Sequence, residues 1–200
     1  MPTKLILIRH GETDWNAESR YLGHSDIGLN SKGLKQAGLL AKRLNKEIIH
    51  KVYASDSKRA LSFAKKVFSG LCIEKMAQLK EINFGILEGE TYDEVLRQNP
   101  RIYNKWLNEP FNAPAPGCET LNDFRARVRK IFRKLLLLNK NKTFAIVTHA
   151  GPIRVIINDI LKVKNFWQTM PDLASLSIIE IKSNRPRVIL FNDTTHLKNG

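Results

Sequence analysis

Two hundred residues are a one-domain length of chain with room for a sizeable core, and 42% hydrophobic with 26% charged residues excludes wholesale disorder and fibrous repeats. The 33 Lys and Arg outnumber the 19 Asp and Glu to leave a net charge of +14, which favours anionic partners without choosing among nucleic acid, membrane surface and phosphorylated metabolites. Cys72 and Cys118 have neither C-x-x-C nor zinc spacing, and the opening apolar run is too short for a signal peptide or a membrane span. A cytoplasmic chain without structural metal is therefore expected.

Residues 4–8 form a short continuous apolar run, the pattern of a strand buried on both faces of a parallel sheet. From Asn30 or Ser31, Leu34, Ala37, Leu40, Ala41 and Leu44 recur at helical spacing, and 48–53 reads as the second strand of a βαβ unit. Residues 55–57 supply cap-type side chains for a helix carrying Ala60, Leu61, Ala64, Val67 and Phe68 and ended by Gly70. Residues 79–119 are rich in turn signals, with a capping-box pattern at Thr91 and Glu94, and read as a helical and loop insertion covering the sheet. Thr120 caps a long helix whose outer face, 125–134, is basic and reads as solvated. Residues 144–147 are another buried strand, Gly151 and Pro152 open a further helix, and 173–181 and 188–191 read as closing strands. Alternation of this kind predicts one α/β domain over 1–200, a three-layer α/β/α sandwich around a mostly parallel sheet.

Arg9-His10-Gly11-Glu12 begins where the first strand ends, and Thr148-His149-Ala150-Gly151 stands in the equivalent place after 144–147. Open α/β sheets bind ligands outside the carboxyl ends of their strands, and a helix N-terminus there favours anions. Arg59, one turn into the helix after 48–53, could join them. Two guanidinium forks and two imidazoles suit a phosphoryl group. Either histidine alone would read as structural; the constellation decides.

Arg9-His10-Gly11-Glu12-Thr13 with Trp15-Asn16, Ser55-Asp56 with Arg59-Ala60, Leu79-Lys80-Glu81 with Phe84-Gly85, Glu88-Gly89, and Thr148-His149 together resemble the histidine phosphatase (phosphoglycerate mutase-like) superfamily over almost the whole chain. The resemblance implies that His10 is the nucleophile that becomes phosphohistidine, that Arg9, Arg59 and His149 bind the phosphoryl group with Asn16 as a further contact, and that Glu81 is the proton donor. Glu88, the reserve acid, and Gly11 are secondary positions. Ala150 departs from the usual Gly without touching a catalytic position, and Cys118, where Gly is common, bears on the pocket rim and not on the chemistry.

Trp106 with Pro110, Pro114, Pro116 and 117–121 is more similar to the α-ribazole phosphatase group and to the broad-specificity phosphatases near it. The expectation is thus a phosphomonoesterase acting on a small phosphorylated metabolite, α-ribazole 5'-phosphate being the named candidate. No cofactor, metal, nucleic-acid or membrane partner is expected, and the chain is taken as a monomer or homodimer. The alternatives are a phosphoglycerate mutase-type phosphotransferase and a non-catalytic protein binding a phosphate ligand or nucleic acid. Trp15, Tyr21, Phe84, Tyr92, Tyr103 and Trp106 are candidate pocket aromatics; His24, His50 and His196 are read as structural or surface residues, with His24 also a candidate for the pocket mouth, and Cys118 as a small filler.

Overall fold

A computed structural model describes residues 2–98, 100–108, 115–183 and 185–198, the side chains at 102 and 106–108 excepted. The chain runs β1 (Thr3–Arg9), α1 (Asp14–Ala17), α2 (Ser31–Leu44), β2 (Lys51–Ala54), α3 (Lys58–Val67), β3 (Ile73–Lys75), α4 (Tyr92–Gln98), α5 (Pro100–Asn108), α6 (Leu121–Leu138), β4 (Thr143–Thr148), α7 (Ala150–Leu161), β5 (Leu176–Lys182) and β6 (Arg185–Asp193). The six strands form one sheet in the order β3-β2-β4-β1-β5-β6. β1, β4, β2 and β3 are mutually parallel, and β5 is antiparallel to both β1 and β6.

The continuous apolar runs of β1 and β4 follow from burial on both faces, since successive side chains point to opposite sides of a sheet. Leu5, Leu7, Phe144 and Ile146 pack against Phe124, Val128, Ile153 and Ile156 of α6 and α7. Ile6, Ile8, Ala145 and Val147 pack against Ala37, Leu40, Phe63 and Ala64 of α2 and α3. Two apolar layers on one sheet make the expected α/β/α sandwich.

Asn30 caps α2 by accepting from the Gly33 N–H, and Thr120 caps α6 by accepting from the Asp123 N–H. The Thr91 and Glu94 capping box forms, the Thr91 N–H donating to Glu94 Oε2 at 2.7 Å. Between β3 and α6 the covering segment holds two short 3₁₀ turns, Ala77–Leu79 and Gly85–Leu87, besides α4 and α5. Its own small core joins Leu87, Val95, Tyr103 and Ala115.

Four strands differ from expectation, β6 by running longer, over Arg185–Asp193. β2 starts at Lys51 because Ile48 is 77% exposed and takes no place in the sheet. β5 starts at Leu176, after Ala174 has turned through a positive φ of 58° to return its N–H to His10 O. β3 was not foreseen: it is a three-residue edge strand with no apolar run to announce it. The basic face of α6 is only partly solvated, since Arg127 pairs with Glu119 and Arg129 with Asp159. No helix among the described residues is long and apolar enough to cross a membrane.

Candidate active site

The register of the parallel strands builds the site. Arg9 of β1 is opposite Thr148 of β4, so the next residues, His10 and His149, leave adjacent strands at the same level. Their rings meet edge to face with centroids 5.0 Å apart. Ala54 of β2 is opposite Val147, which brings Ser55 to the same edge. Arg59 enters from the second position of α3. His10, His149, Arg59 and Glu81 are 3%, 1%, 0% and 8% exposed.

His10 Nδ1 lies 2.7 Å from Gly11 O. A carbonyl oxygen only accepts, so Nδ1 carries the proton and Nε2 the lone pair. Burial, then the charges of Arg59 and Arg9, hold the His10 pKa well below the usual 6.5, and that of His149 likewise, so both rings are neutral. Gly11 allows this packing: a Cβ there would stand 2.8 Å from both Gly33 O and the Phe63 ring.

Arg9 donates from Nη1 to Pro171 O, and Arg59 from Nη1 and Nη2 to Ser25 O and Gly23 O. Burial lowers each guanidinium pKa to about 10, against the charge of Glu81 and other carboxylates. His149 Nε2 shares a hydrogen bond of 2.8 Å with Ser55 Oγ. Arg9 Nε, Arg59 Nε and His149 Nδ1 are buried and have no partner among the described residues. Leaving a buried polar group unpaired costs about 1–3 kcal/mol.

Glu81 reaches the same edge from the covering segment. Its Oε1 accepts from the Ile82 N–H and its Oε2 from the Gly151 N–H at the start of α7. Three bonds anchor its backbone: Thr148 Oγ1 donates to Leu79 O, and Arg127 donates to Lys80 O and Glu81 O. His24 Nε2 also meets Glu81 O, which makes it a support of this turn.

A cavity of about 560 Å³ adjoins these groups. Arg9, Asn16 and Glu81 lie on its wall; His10, Arg59 and His149 belong to the buried layer next to Arg9. Tyr21, Phe84 and Tyr103 line it as anticipated, whereas Trp15 and Tyr92 do not; the Trp106 side chain, Pro110 and Pro114 lie outside what the structure describes. Asn16 also closes the capping box of α1, its Oδ1 accepting from the Thr13 N–H.

Glu88 is elsewhere. Its carboxylate accepts from the backbone N–H groups of His24, Ser25 and Phe84 and from the Ser25 hydroxyl. Burial opposes ionisation there, but those donors outweigh it and hold the pKa below the ordinary value. Glu88 thereby stiffens the loop whose carbonyls grip Arg59. His50 and His196 are remote, at Thr143 and beside Arg43 with Asp193. Cys118 Sγ lies 2.7 Å from Phe84 O, and burial raises its pKa to about 11.

The model of the histidine phosphatase superfamily (branch 1) matches residues 5–194. The chain belongs to that superfamily. It is 33% identical over 198 residues to phosphoserine phosphatase 1 of Hydrogenobacter thermophilus, covering 97% of this chain and 94% of that one. A phosphoserine phosphatase mutant of Entamoeba histolytica, solved in complex with phosphoserine, superposes with a TM-score of 0.87 at 28% identity over 98% of this chain and 99% of that one. The α-ribazole phosphatase of Shigella flexneri superposes with a TM-score of 0.89 at 26% identity, covering 95% and 96%. The chain is thus a phosphatase-family enzyme.

Sequence reasoning missed Ser55, Arg154, Phe166 and Trp167. Ser55 reads as a cap-type residue, and only the sheet order turns it toward His149. Arg154 is three residues after Gly151, the spacing that shares a helix face, which is a signal that could have found it. Phe166 and Trp167 sit in a 3₁₀ turn whose approach to the cavity no local pattern announces.

Proposed function

We propose that the chain hydrolyses small phosphomonoesters through a phosphohistidine on His10. The observation that carries this reading is a neutral imidazole with its lone pair on Nε2, beside three buried nitrogens of Arg9, Arg59 and His149 that lack partners among the described residues. Nε2 attacks phosphorus as the ester P–O bond breaks, and the protonated Glu81 carboxyl gives its proton to the leaving oxygen. Water then attacks the phosphohistidine, losing a proton to Glu81, and the P–N bond breaks to release phosphate and restore His10. Arg9, Arg59, His149 and Asn16 stabilise the equatorial oxygens. With Ser55 donating to His149 Nε2, Nδ1–H of that ring is directed to the phosphoryl group.

The mutase alternative needs extra positive groups to hold the far end of a substrate during reorientation. Among the described cavity-lining residues the cations besides Arg9 are Arg154 and Arg20, the latter paired with Glu18 and Glu94, while the covering segment contributes only Glu81, Ile82, Phe84 and Tyr103; one unpaired cation is fewer than a reorienting bisphosphate requires. Nucleic-acid binding by α6 is disfavoured by the pairing of Arg127 and Arg129. As to substrate, the aromatic wall supports α-ribazole 5'-phosphate, and the phosphoserine phosphatase relatives support phosphoserine. Rapid quench with a labelled substrate is expected to trap an acid-labile, base-stable phosphoenzyme, insensitive to chelator and absent in His10→Ala. Turnover retained by His10→Ala would refute the reading.

A further inference from the structure

Several buried and half-buried arginines of this protein divide by the company they keep. Arg20, Arg43, Arg127 and Arg129 each meet a carboxylate, of Glu18 and Glu94, Asp193, Glu119 and Asp159 respectively. Arg9, Arg59 and Arg154 have no carboxylate within ion-pair distance among the described residues, and all three gather at the site. A phosphomonoester dianion carries two charges, which Arg9 and Arg59 match. Arg154 is one cation more than a phosphoryl group requires.

Its placement is rigid. Arg154 Nε donates to Thr169 O at 2.7 Å and Nη2 faces Met170 Sδ, while the guanidinium lies 5.7 Å from the Phe166 ring centroid and 5.3 Å from that of Trp167. Neither of those bonds uses Nη1. The side chain is on the wall of the cavity, one helical turn beyond Gly151, whose N–H holds Glu81. Burial lowers its pKa, against the charge of Glu81. Once Glu81 carries the proton it donates to the leaving oxygen, that offsetting charge is gone.

We propose that Arg154 docks a carboxylate of the substrate, so that this site selects phosphomonoesters bearing a carboxylate two or three carbons from the ester oxygen. The spacing follows from the three-residue rise, about 4.5 Å, between Gly151, which anchors Glu81, and Arg154. A planar guanidinium held by Thr169 O and the faces of Phe166 and Trp167 matches a carboxylate better than a hydroxyl. The inference rests on the proposed hydrolysis and names its substrate class; it disfavours α-ribazole 5'-phosphate, whose only anionic group is the phosphate.

The test compares 3-phosphoglycerate with glycerol 3-phosphate, which differ in a carboxylate against a hydroxymethyl group. Wild type is expected to favour the former in kcat/KM by about 10- to 100-fold, the range for a charge-assisted hydrogen bond. Arg154→Met should bring the ratio close to one, and Arg154→Lys, which keeps charge without the fork, should fall between. The ratio does not depend on the fraction of protein correctly folded. No preference in wild type, or an equal loss on both substrates in Arg154→Met, overturns the proposal. Calorimetric binding of the same pair to His10→Ala separates the two readings. Preference there that vanishes in the His10→Ala, Arg154→Met double variant upholds the carboxylate site even if wild type fails to hydrolyse either ester. His10-dependent hydrolysis with an Arg154-independent ratio leaves the phosphatase reading and removes the carboxylate.

Discussion

A single methyl group at Gly151 should disable Glu81 without touching it in sequence. A Cβ built there stands 2.0 Å from Glu81 Oε1, 3.1 Å from Glu81 Cδ and 2.8 Å from the Phe124 ring. Phe124 of α6 is buried in the core, so the methyl cannot retreat toward it, and the carboxylate must move. Restoring an ordinary contact of about 3.4 Å displaces it by more than about 1 Å and breaks the Gly151 N–H bond, and a misplacement of about 1 Å at a catalytic group costs about 10²-fold. With general acid catalysis contributing about 10² to 10⁴, Gly151→Ala should lower kcat on glycerol 3-phosphate by about 10² or more. The loss on p-nitrophenyl phosphate should be below about tenfold, because its leaving group needs no proton. Glu81→Gln should show the same split, and the double variant should be no worse than the poorer single one, since both changes remove one function. Helix propensity favours Ala by up to about 1 kcal/mol against about 1–3 kcal/mol of overpacking, so the Tm should fall by no more than about 8 °C and the variant should remain folded in the assay. Equal losses on both substrates, or losses that multiply in the double variant, would refute the placement of the acid.

Other outcomes follow from the same geometry. His10 and His149 are neutral when folded and ordinary histidines when unfolded, so the unfolded chain binds protons first; stability should be intact above about pH 6.5 and fall below it, by up to about 1.4 kcal/mol per pH unit for each ring. Urea midpoints at pH 7.5, 6.0 and 5.0 check this, and a flat profile contradicts it. Glu88→Gln should weaken the loop behind Arg59 and so lower kcat/KM on glycerol 3-phosphate and p-nitrophenyl phosphate alike, unlike Glu81→Gln; a loss confined to the alkyl ester would return the acid role to Glu88. Ser55→Ala should cost about 10-fold or more in kcat/KM, as a lost donor fixing the His149 tautomer, while Ser55→Thr, which keeps the hydroxyl, recovers part of it. Equal activity of Ser55→Ala and wild type would show that the ring needs no such partner.

The amino-acid sequence by itself determined the buried strands β1 and β4, the capped helices α2 and α6, and the chemistry-bearing residues that follow each strand. These are local matters: an unbroken apolar run, a helical period or a capping side chain needs only its neighbours in the chain to be read. It also placed His10 and His149 at strand ends, and a parallel α/β order made their convergence the natural expectation. Only the tertiary structure decided what surrounds them. Ser55 and His149 are 94 positions apart and meet because β2 and β4 are adjacent in register. Glu88, a candidate acid in the sequence, became a brace for the Arg59 loop because three donors of His24 and Ser25 converge on it from a distant segment, besides the Phe84 N–H of its own turn. Arg154 gained its two aromatic neighbours from the 3₁₀ turn that follows α7. Such roles depend on which groups are left without water and which charges are left without partners, and burial and pairing belong to the packed molecule, not to any stretch of its chain.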